Sequence, residues 1–268
     1  MSNPFHLLCM AILGLLVGKL MNIFIYKLPI MIEQSLHGID QFNDVRSNWL
    51  SSISHCTVCQ NAIPWYQNLP LMSFVRLVIT CPNCHARISW RYPLMELVTT
   101  SLFVWCALTH VGWGAALAWA GFASVVLTLA IIDAQTTWLP DALTQPLVWG
   151  GLIAAAMGWS DIALADALAG AVVGYLSLWS VYWLFLMISG KQGMGYGDFK
   201  MLAALGAWFG WRSILALVLI ASISSLLTAA IMQLRGRLPT SRQIPFGPFL
   251  AIAAAWLMLF GIPQVLIL

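Results

Sequence analysis

GMGYGDFK, residues 193–200, is the most polar and glycine-dense stretch in the otherwise apolar second half of this 268-residue chain. Its three glycines alternate with larger residues, and glycine lets a backbone adopt conformations that other residues avoid. The stretch places the carboxylate of Asp198 just before the apolar run 201–211. A carboxylate at the edge of lipid is costly, so it marks a candidate functional site. We therefore expect Asp198 to act with a partner that the rest of the chain positions.

The composition is that of a membrane protein. Hydrophobic residues make up 61% of the chain and charged residues 8%, whereas soluble globular proteins carry about 25% charged residues. The formal net charge of +3 is too small to suggest a nucleic-acid partner. Because residues 1–6 lack a basic segment and a long apolar run follows, we expect no cleavable signal peptide. The sequence predicts an all-α polytopic membrane protein.

The apolar runs set the expected architecture. About 20 apolar residues cross the bilayer core of roughly 30 Å, and eight runs are candidates for transmembrane helices. They are residues 5–28, 94–112, 113–132, 142–159, 164–188, 201–211, 213–234 and 246–268. We predict a first transmembrane helix in residues 1–28, a polar insert in residues 29–93 and a membrane core in residues 94–268.

Basic residues near the ends of the runs predict the orientation. With the N-terminus outside, ten of them fall on the cytoplasmic side: Lys27, Arg46, Arg76, Arg87, Arg91, Lys191, Lys200, Arg235, Arg237 and Arg242. Only Arg212 falls on the opposite side. The insert, the connection 133–141 and the glycine-rich stretch are therefore all expected at the cytoplasmic face.

Four of the six cysteines form two Cys-x-x-Cys units with 21 residues between them: Cys56, Cys59, Cys81 and Cys84. This pattern is typical of a zinc ribbon, in which four thiolates close a tetrahedral site. Two disulfides or a redox-active pair are the alternatives. A cytoplasmic location disfavours disulfides, and a redox motif would not need the second pair. We predict a structural zinc site that supplies folding energy to the small insert.

The connection IIDAQTTWLPD, residues 131–141, carries two carboxylates. Asp141 follows a proline where the next helix is expected to begin, so it can cap that helix. Asp133 is expected at a helix C-terminus, where the helix dipole disfavours negative charge. Such a carboxylate suits acid–base chemistry better than a capping role, so we take Asp133 as the partner of Asp198.

Asp133 and Asp198 would form a pair of carboxylates at one membrane face. Two carboxylates that share a site cannot both ionise cheaply, so one keeps its proton while the other acts as a base. Such a pair activates water for peptide hydrolysis. The alternative, that each is a solvated aspartate at the interface, remains open from these residues alone.

Four motifs in order resemble the type IV prepilin peptidases, a family of GxGD membrane aspartic proteases. They are GKLMNIFIYKLP at residues 18–29, the cysteine insert with flanks WYQNLP at residues 65–70 and ISWRYPLME at residues 88–96, the aspartate before Leu-Pro-Asp, and GKQGMGYGDFKMLAALG at residues 190–206. The resemblance runs along most of the chain. One departure is Lys19, where the family usually has a small residue.

The resemblance implies an endopeptidase of the bacterial inner (cytoplasmic) membrane that removes the basic leader from type IV prepilins or secretion pseudopilins at the cytoplasmic face. Its catalytic pair would be Asp133 and Asp198. Many members also N-methylate the new N-terminus with S-adenosylmethionine, through motifs placed near Gly18, Asn22 and the insert. The expected partners are these substrates and the lipid bilayer, without nucleic acid, and the oligomeric state is left open.

Four further residues are expected to support this chemistry. Gly195 and Gly197 would make room for a substrate backbone beside Asp198. Lys200 would either bias the ionisation of the pair or hold a lipid phosphate. Glu96 would contact a substrate amine or the methyl donor, or would serve as a capping or ion-paired residue beside Arg91.

Two other classes of function compete with a protease. In a transporter, the aspartates would bind ions and the cysteines would be regulatory, but ion sites lie near the bilayer midplane and both aspartates here lie near the ends of runs. A membrane thiol–disulfide exchanger would need a reactive cysteine pair, which stoichiometric zinc without redox-labile thiols would exclude.

Overall fold

The computed structural model describes residues 4–36, 59, 84, 90–190, 194–235 and 245–261. These residues form eight α-helices and one short 3-10 helix, Trp211–Ser213, without a strand. The α-helices are α1 Pro4–Leu36, α2 Arg91–Thr109, α3 Trp113–Thr136, α4 Asp141–Ala156, α5 Leu164–Ser189, α6 Tyr196–Phe209, α7 Ile214–Leu234 and α8 Gly247–Phe260. The predicted all-α class is confirmed.

Five of the described segments are long and apolar enough to cross a membrane. They are Pro4–Ile30, Arg91–Thr109, Trp113–Thr136, Leu164–Ser189 and Trp211–Leu234. The helices α4, α6 and α8 have 16, 14 and 14 residues, fewer than the roughly 20 that a bilayer core requires. Eight membrane crossings therefore stay a prediction, while a multi-pass membrane protein is confirmed.

Some helix boundaries differ from those read from the apolar runs. The first helix continues through Pro29 to Leu36, beyond the expected end at residue 28. The helix predicted at 201–211 begins earlier, at Tyr196, so Asp198 lies inside its first turn. The chain divides into two compact units, Met1–Val111 and Gly112–Leu268. Most of the predicted insert 29–93 lies outside the described residues.

In the first unit, α1 and α2 pack through small residues and polar contacts. A Cβ added to Gly14 would lie 2.7 Å from the Cα of Thr100. The hydroxyl of Thr99 donates to the carbonyl of Gly14 at 3.1 Å, and Asn22 Nδ2 donates to the carbonyl of Tyr92 at 3.1 Å. Such contacts drive helix association in lipid, where a hydrophobic driving force between helices is lacking.

In the second unit, α6 is the central helix. Every residue from Met201 to Trp208 is buried, and α4, α5 and α8 all contact it. The Trp208 indole donates to the carbonyl of Leu147 at 2.9 Å. A helix of this length surrounded by protein is a core helix, and this explains why the part of α6 after its first turn is apolar although the helix is short.

Glycines bring α5 and α6 into backbone contact. A Cβ on Gly174 would lie 2.7 Å from the carbonyl oxygen of Leu202, and Gly170 and Gly206 each face the carbonyl of the other. Side chains at these positions would separate the two helices. This contact fixes the position of α6 and, with it, the start of the helix that carries Asp198.

Candidate active site

Asp133 lies in the last turn of α3, where the sequence predicted it. The helix ends at Thr136, and the C-cap Thr137 takes a left-handed conformation with φ 58° and donates its N–H to the carbonyl of Asp133 at 2.8 Å. The side chain of Asp133 is only 3% exposed. A buried carboxylate needs hydrogen-bond partners to remain stable.

The Asp133 carboxylate accepts a hydrogen bond from a backbone amide far away along the chain. Gly247, the first residue of α8, donates its N–H to Asp133 Oδ2 at 2.8 Å. The positive end of the α8 dipole therefore offsets the unfavourable C-terminal end of α3. The sequence does contain a local signal for the start of α8. Phe246-Gly247-Pro248 precedes an apolar run, and a proline at this place marks a helix N-terminus.

Gly247 also has no room for a side chain. A Cβ at this position would lie 2.7 Å from Asp133 Oδ2 and 3.1 Å from Asp133 Cβ. Glycine is thus required here because it lets the backbone N–H come close enough to bind the carboxylate.

Asp198 lies in the first turn of α6, outside the five segments long enough to span a membrane, and is 8% exposed. Burial, and then the negative charge of Asp133, raise the pKa of the Asp198 carboxyl to about 7, while a hydrogen bond from the backbone of Gly195 opposes this shift. The electrostatic effect of Asp133 shows that the structure brings the two predicted carboxylates together.

The two glycines before Asp198 have different surroundings. Among the described residues, a Cβ on Gly195 would meet only Asp198 Oδ2 at 3.7 Å and a backbone nitrogen at 4.0 Å, so these residues leave open space beside the carboxyl. A Cβ on Gly197 would lie 2.6 Å from Leu139 Cβ. The expectation that both glycines make room for a substrate is therefore wrong for Gly197, whose space is taken by Leu139.

Asp141 does not cap α4, contrary to expectation. Pro140 occupies the N-cap position without a side-chain hydrogen bond, and Asp141 is the first helical residue. Its two carboxylate oxygens instead accept hydrogen bonds from Lys200 Nζ at 2.6 and 2.7 Å. Lys200 thus has a protein partner that neither of its predicted roles included.

Glu96 lies in α2 of the first unit and is 7% exposed. Its charge interacts with that of Lys19 on α1. It does not cap α2, since Trp90 occupies the N-cap position without a side-chain bond. Glu96 Oε2 is buried and has no hydrogen-bond partner within the described part of the chain, as would suit a carboxylate that awaits a ligand.

The predicted metal site falls largely outside the described residues. Cys59 and Cys84 lie in turns and are half-buried, whereas Cys56 and Cys81 are not among the described positions. Within the described ranges no cluster of three or more His, Cys, Asp or Glu side chains forms. With two of the four thiolates outside these ranges, the zinc site stays a prediction.

Comparison with known proteins covers nearly the whole chain. Residues 120–230 match the type IV leader peptidase family, and residues 12–110 match the N-terminal domain of bacterial A24 peptidases. Three similar proteins, each named prepilin leader peptidase/N-methyltransferase, come from Stutzerimonas stutzeri, Aeromonas salmonicida (strain A449) and Pseudomonas aeruginosa.

The protein from Stutzerimonas stutzeri is 40% identical over 97% of this chain and 93% of its own length. For the Aeromonas salmonicida protein the values are 42%, 92% and 88%, and for the Pseudomonas aeruginosa protein 40%, 97% and 92%. No solved structure matches the chain. The identity and coverage leave no doubt about descent: the chain belongs to the type IV leader peptidase family.

Proposed function

We propose that this protein is a membrane-embedded aspartic endopeptidase that cleaves the leader from type IV prepilins or pseudopilins at the cytoplasmic face of the bacterial inner membrane. The observation that carries the proposal is the pairing of two buried carboxylates, Asp133 and Asp198, with a backbone amide at each. Family membership supports it, and gives no support to a transporter.

The geometry suits hydrolysis by activated water. One carboxyl holds a proton while the other, ionised, takes a proton from a water molecule that attacks the scissile carbonyl. The protonated carboxyl donates to the carbonyl oxygen, and a proton then passes to the leaving amine. The open space beside Gly195 is where a substrate backbone reaches the pair.

Cleavage of a model prepilin by purified variants tests this proposal. Asp133→Asn and Asp198→Asn should each abolish cleavage, because an amide can neither activate water nor donate the carboxyl proton. Asp141→Asn should leave a measurable rate, since Asp141 pairs with Lys200 outside the carboxylate pair. Full activity in Asp133→Asn would overturn the assignment.

The cysteine insert would hold one structural zinc ion through Cys56, Cys59, Cys81 and Cys84. Four thiolates in two Cys-x-x-Cys units fit tetrahedral zinc and leave no position for a reactive water. The role of the metal would be to supply folding energy to the insert, separately from the aspartate pair.

The relatives are also named as N-methyltransferases, and we extend that second activity to this chain. S-adenosylmethionine would supply the methyl group. Our candidate for contact with the substrate amine is Glu96, because its carboxylate is buried and one oxygen is unsatisfied among the described residues. A carboxylate at this position would orient the amine and accept its proton.

A further inference from the structure

We propose that the ion pair between Asp141 and Lys200 positions the two catalytic carboxylates relative to each other. We call this pair the clamp. It holds the first turn of α6, which carries Asp198, against the start of α4, which the short connection 137–140 joins to the last turn of α3, where Asp133 lies. This inference rests on the proposed peptidase function and deepens it by naming two positioning residues.

The clamp joins α6, the helix that carries Asp198, to α4, the helix that follows Asp133 along the chain. Lys200 follows Asp198 by two residues in α6, and Asp141 starts α4 directly after the connection that leaves Asp133. Leu139, within this connection, packs on Gly197. The two segments therefore touch at an apolar contact and at an ion pair, with the catalytic carboxyls beside them.

The catalytic pair needs such a restraint because its members repel each other. The negative charge of Asp133 disfavours ionisation of Asp198. When both carboxylates are ionised, their repulsion therefore pushes α6 and α3 apart. The clamp opposes this repulsion from the adjoining seam between the first turn of α6 and the start of α4, which the connection 137–140 links to α3. Lys200 Nζ donates to both Asp141 oxygens, at 2.6 and 2.7 Å, and such a charge-assisted pair restrains the distance between the two side chains.

The clamp is not required for folding. Lys200 is 29% and Asp141 60% exposed, and exposed ion pairs contribute little to global stability. The rest of α6 is held by its buried residues, Met201 to Trp208. Breaking the pair should thus release only the first turn of α6, where Asp198 lies.

Steady-state cleavage of a model prepilin tests the clamp. In Lys200→Met we expect kcat to fall about 10- to 100-fold with little change in KM, because a misplacement of about 1 Å costs on the order of 100-fold. Asp141→Asn should behave alike, and the double variant should be no worse than either single one. Lys200→Arg, whose planar fork also pairs with a carboxylate, should keep most of the rate.

Two controls distinguish a loss of positioning from a nonspecific effect of removing a charge. Asp161→Asn removes an exposed carboxylate outside this seam and should leave kcat and KM unchanged. Raising NaCl from about 0.05 M to about 0.5 M screens exposed charges, so it should narrow the difference in kcat between wild type and Lys200→Met. Thermal unfolding of each variant verifies that the fold is kept.

The proposed clamp and the proposed peptidase function would be contradicted by different results. Wild-type kcat in Lys200→Met, additive losses in the double variant, or a loss in Lys200→Arg equal to that in Lys200→Met would overturn the clamp. A wild-type protein that cleaves no prepilin would instead overturn the proposed function, and the clamp with it.

Discussion

Leu139 occupies the space that a side chain on Gly197 would need, with Leu139 Cβ only 2.6 Å from the place where a Cβ would stand. Gly197 is therefore the point at which the α3–α4 connection meets the first turn of α6. The second glycine of the Gly-x-Gly-Asp motif brings two segments of the protein together, whereas the first has open space beside the carboxyl as far as the described residues are concerned.

Gly197→Ala should force these segments apart. We expect it to lower prepilin cleavage by at least about 100-fold and to cost about 1–3 kcal/mol of stability, as overpacked sites do. Gly195→Ala, whose Cβ would meet Asp198 Oδ2 at 3.7 Å, is the matched control and should leave the stability unchanged. Equal melting temperatures of Gly197→Ala and wild type would contradict this account.

Gly247→Ala should inactivate the Asp133 carboxylate although Asp133 itself is not substituted. The added Cβ would lie 2.7 Å from Asp133 Oδ2, so either the carboxylate or the start of α8 must move and the hydrogen bond is lost. We expect cleavage to fall nearly as far as in Asp133→Asn. Gly121→Ala, in α3 with no atom of the described residues within 4 Å of the added Cβ, should cleave at the wild-type rate.

The pH dependence of cleavage should report Asp198. Burial and the charge of Asp133 raise its pKa from 3.8 to about 7, so the carboxyl keeps its proton at acidic pH and loses it near neutrality. Because the mechanism needs one protonated carboxyl, kcat/KM should fall as the pH rises through about 7. A rate that stays constant up to pH values near 9 would contradict the assignment.

The same pKa predicts how stability changes with pH. A carboxyl whose pKa is higher in the folded than in the unfolded protein binds its proton more tightly when folded, so it stabilises the fold at low pH. This contribution is present below the unfolded value of 3.8 and is lost as the pH rises to about 7. Melting temperatures across this range should fall more for wild type than for Asp198→Asn, with Asp161→Asn following wild type.

A substitution of Glu96 should separate the proposed methyltransferase activity from the peptidase activity. Glu96→Gln keeps the size of the side chain and removes its charge, so cleavage should continue while methylation is lost. Mass analysis of the N-terminus of the product measures both activities in one sample. A fully methylated product from Glu96→Gln would remove Glu96 from the proposal.

The zinc proposal predicts one zinc ion per purified chain, measured by elemental analysis. Cys84→Ser should lower this ratio sharply, because a site with three thiolates binds zinc more weakly. Cys9→Ala, a cysteine of α1 outside both Cys-x-x-Cys units, should keep the metal. Metal-free wild-type protein with full activity would contradict a structural zinc site.

The sequence predicted the local positions of the catalytic candidates well. Asp133 ends a long apolar run, and Asp198 precedes another after a glycine-rich stretch, so hydrophobic length alone placed both near helix ends. It did not predict their environment. The amide that binds Asp133 belongs to Gly247, 114 residues away, and no local pattern encodes a contact over that separation.

The contacts of Asp141 show why the helix cap predicted from the local sequence was wrong. Its place after a proline is typical of an N-cap. The Asp141 carboxylate instead accepts hydrogen bonds from Lys200, which lies on another helix, 59 residues away along the chain. Lys200 lies at the start of α6 because the helix begins at Tyr196, several residues before the apolar run that predicted it. A tertiary ion pair thus replaced the capping bond that the local sequence favours.

The backbone contact of α5 with α6 restricts how a substrate can enter. Gly170 and Gly206 face each other without side chains between them, so α6 cannot rotate about its axis or slide along α5 without a collision of main-chain atoms. The wall formed by these two helices is therefore the stationary side of the site. We therefore expect a polypeptide to reach Asp198 through the space beside Gly195, because α6 cannot move aside for it.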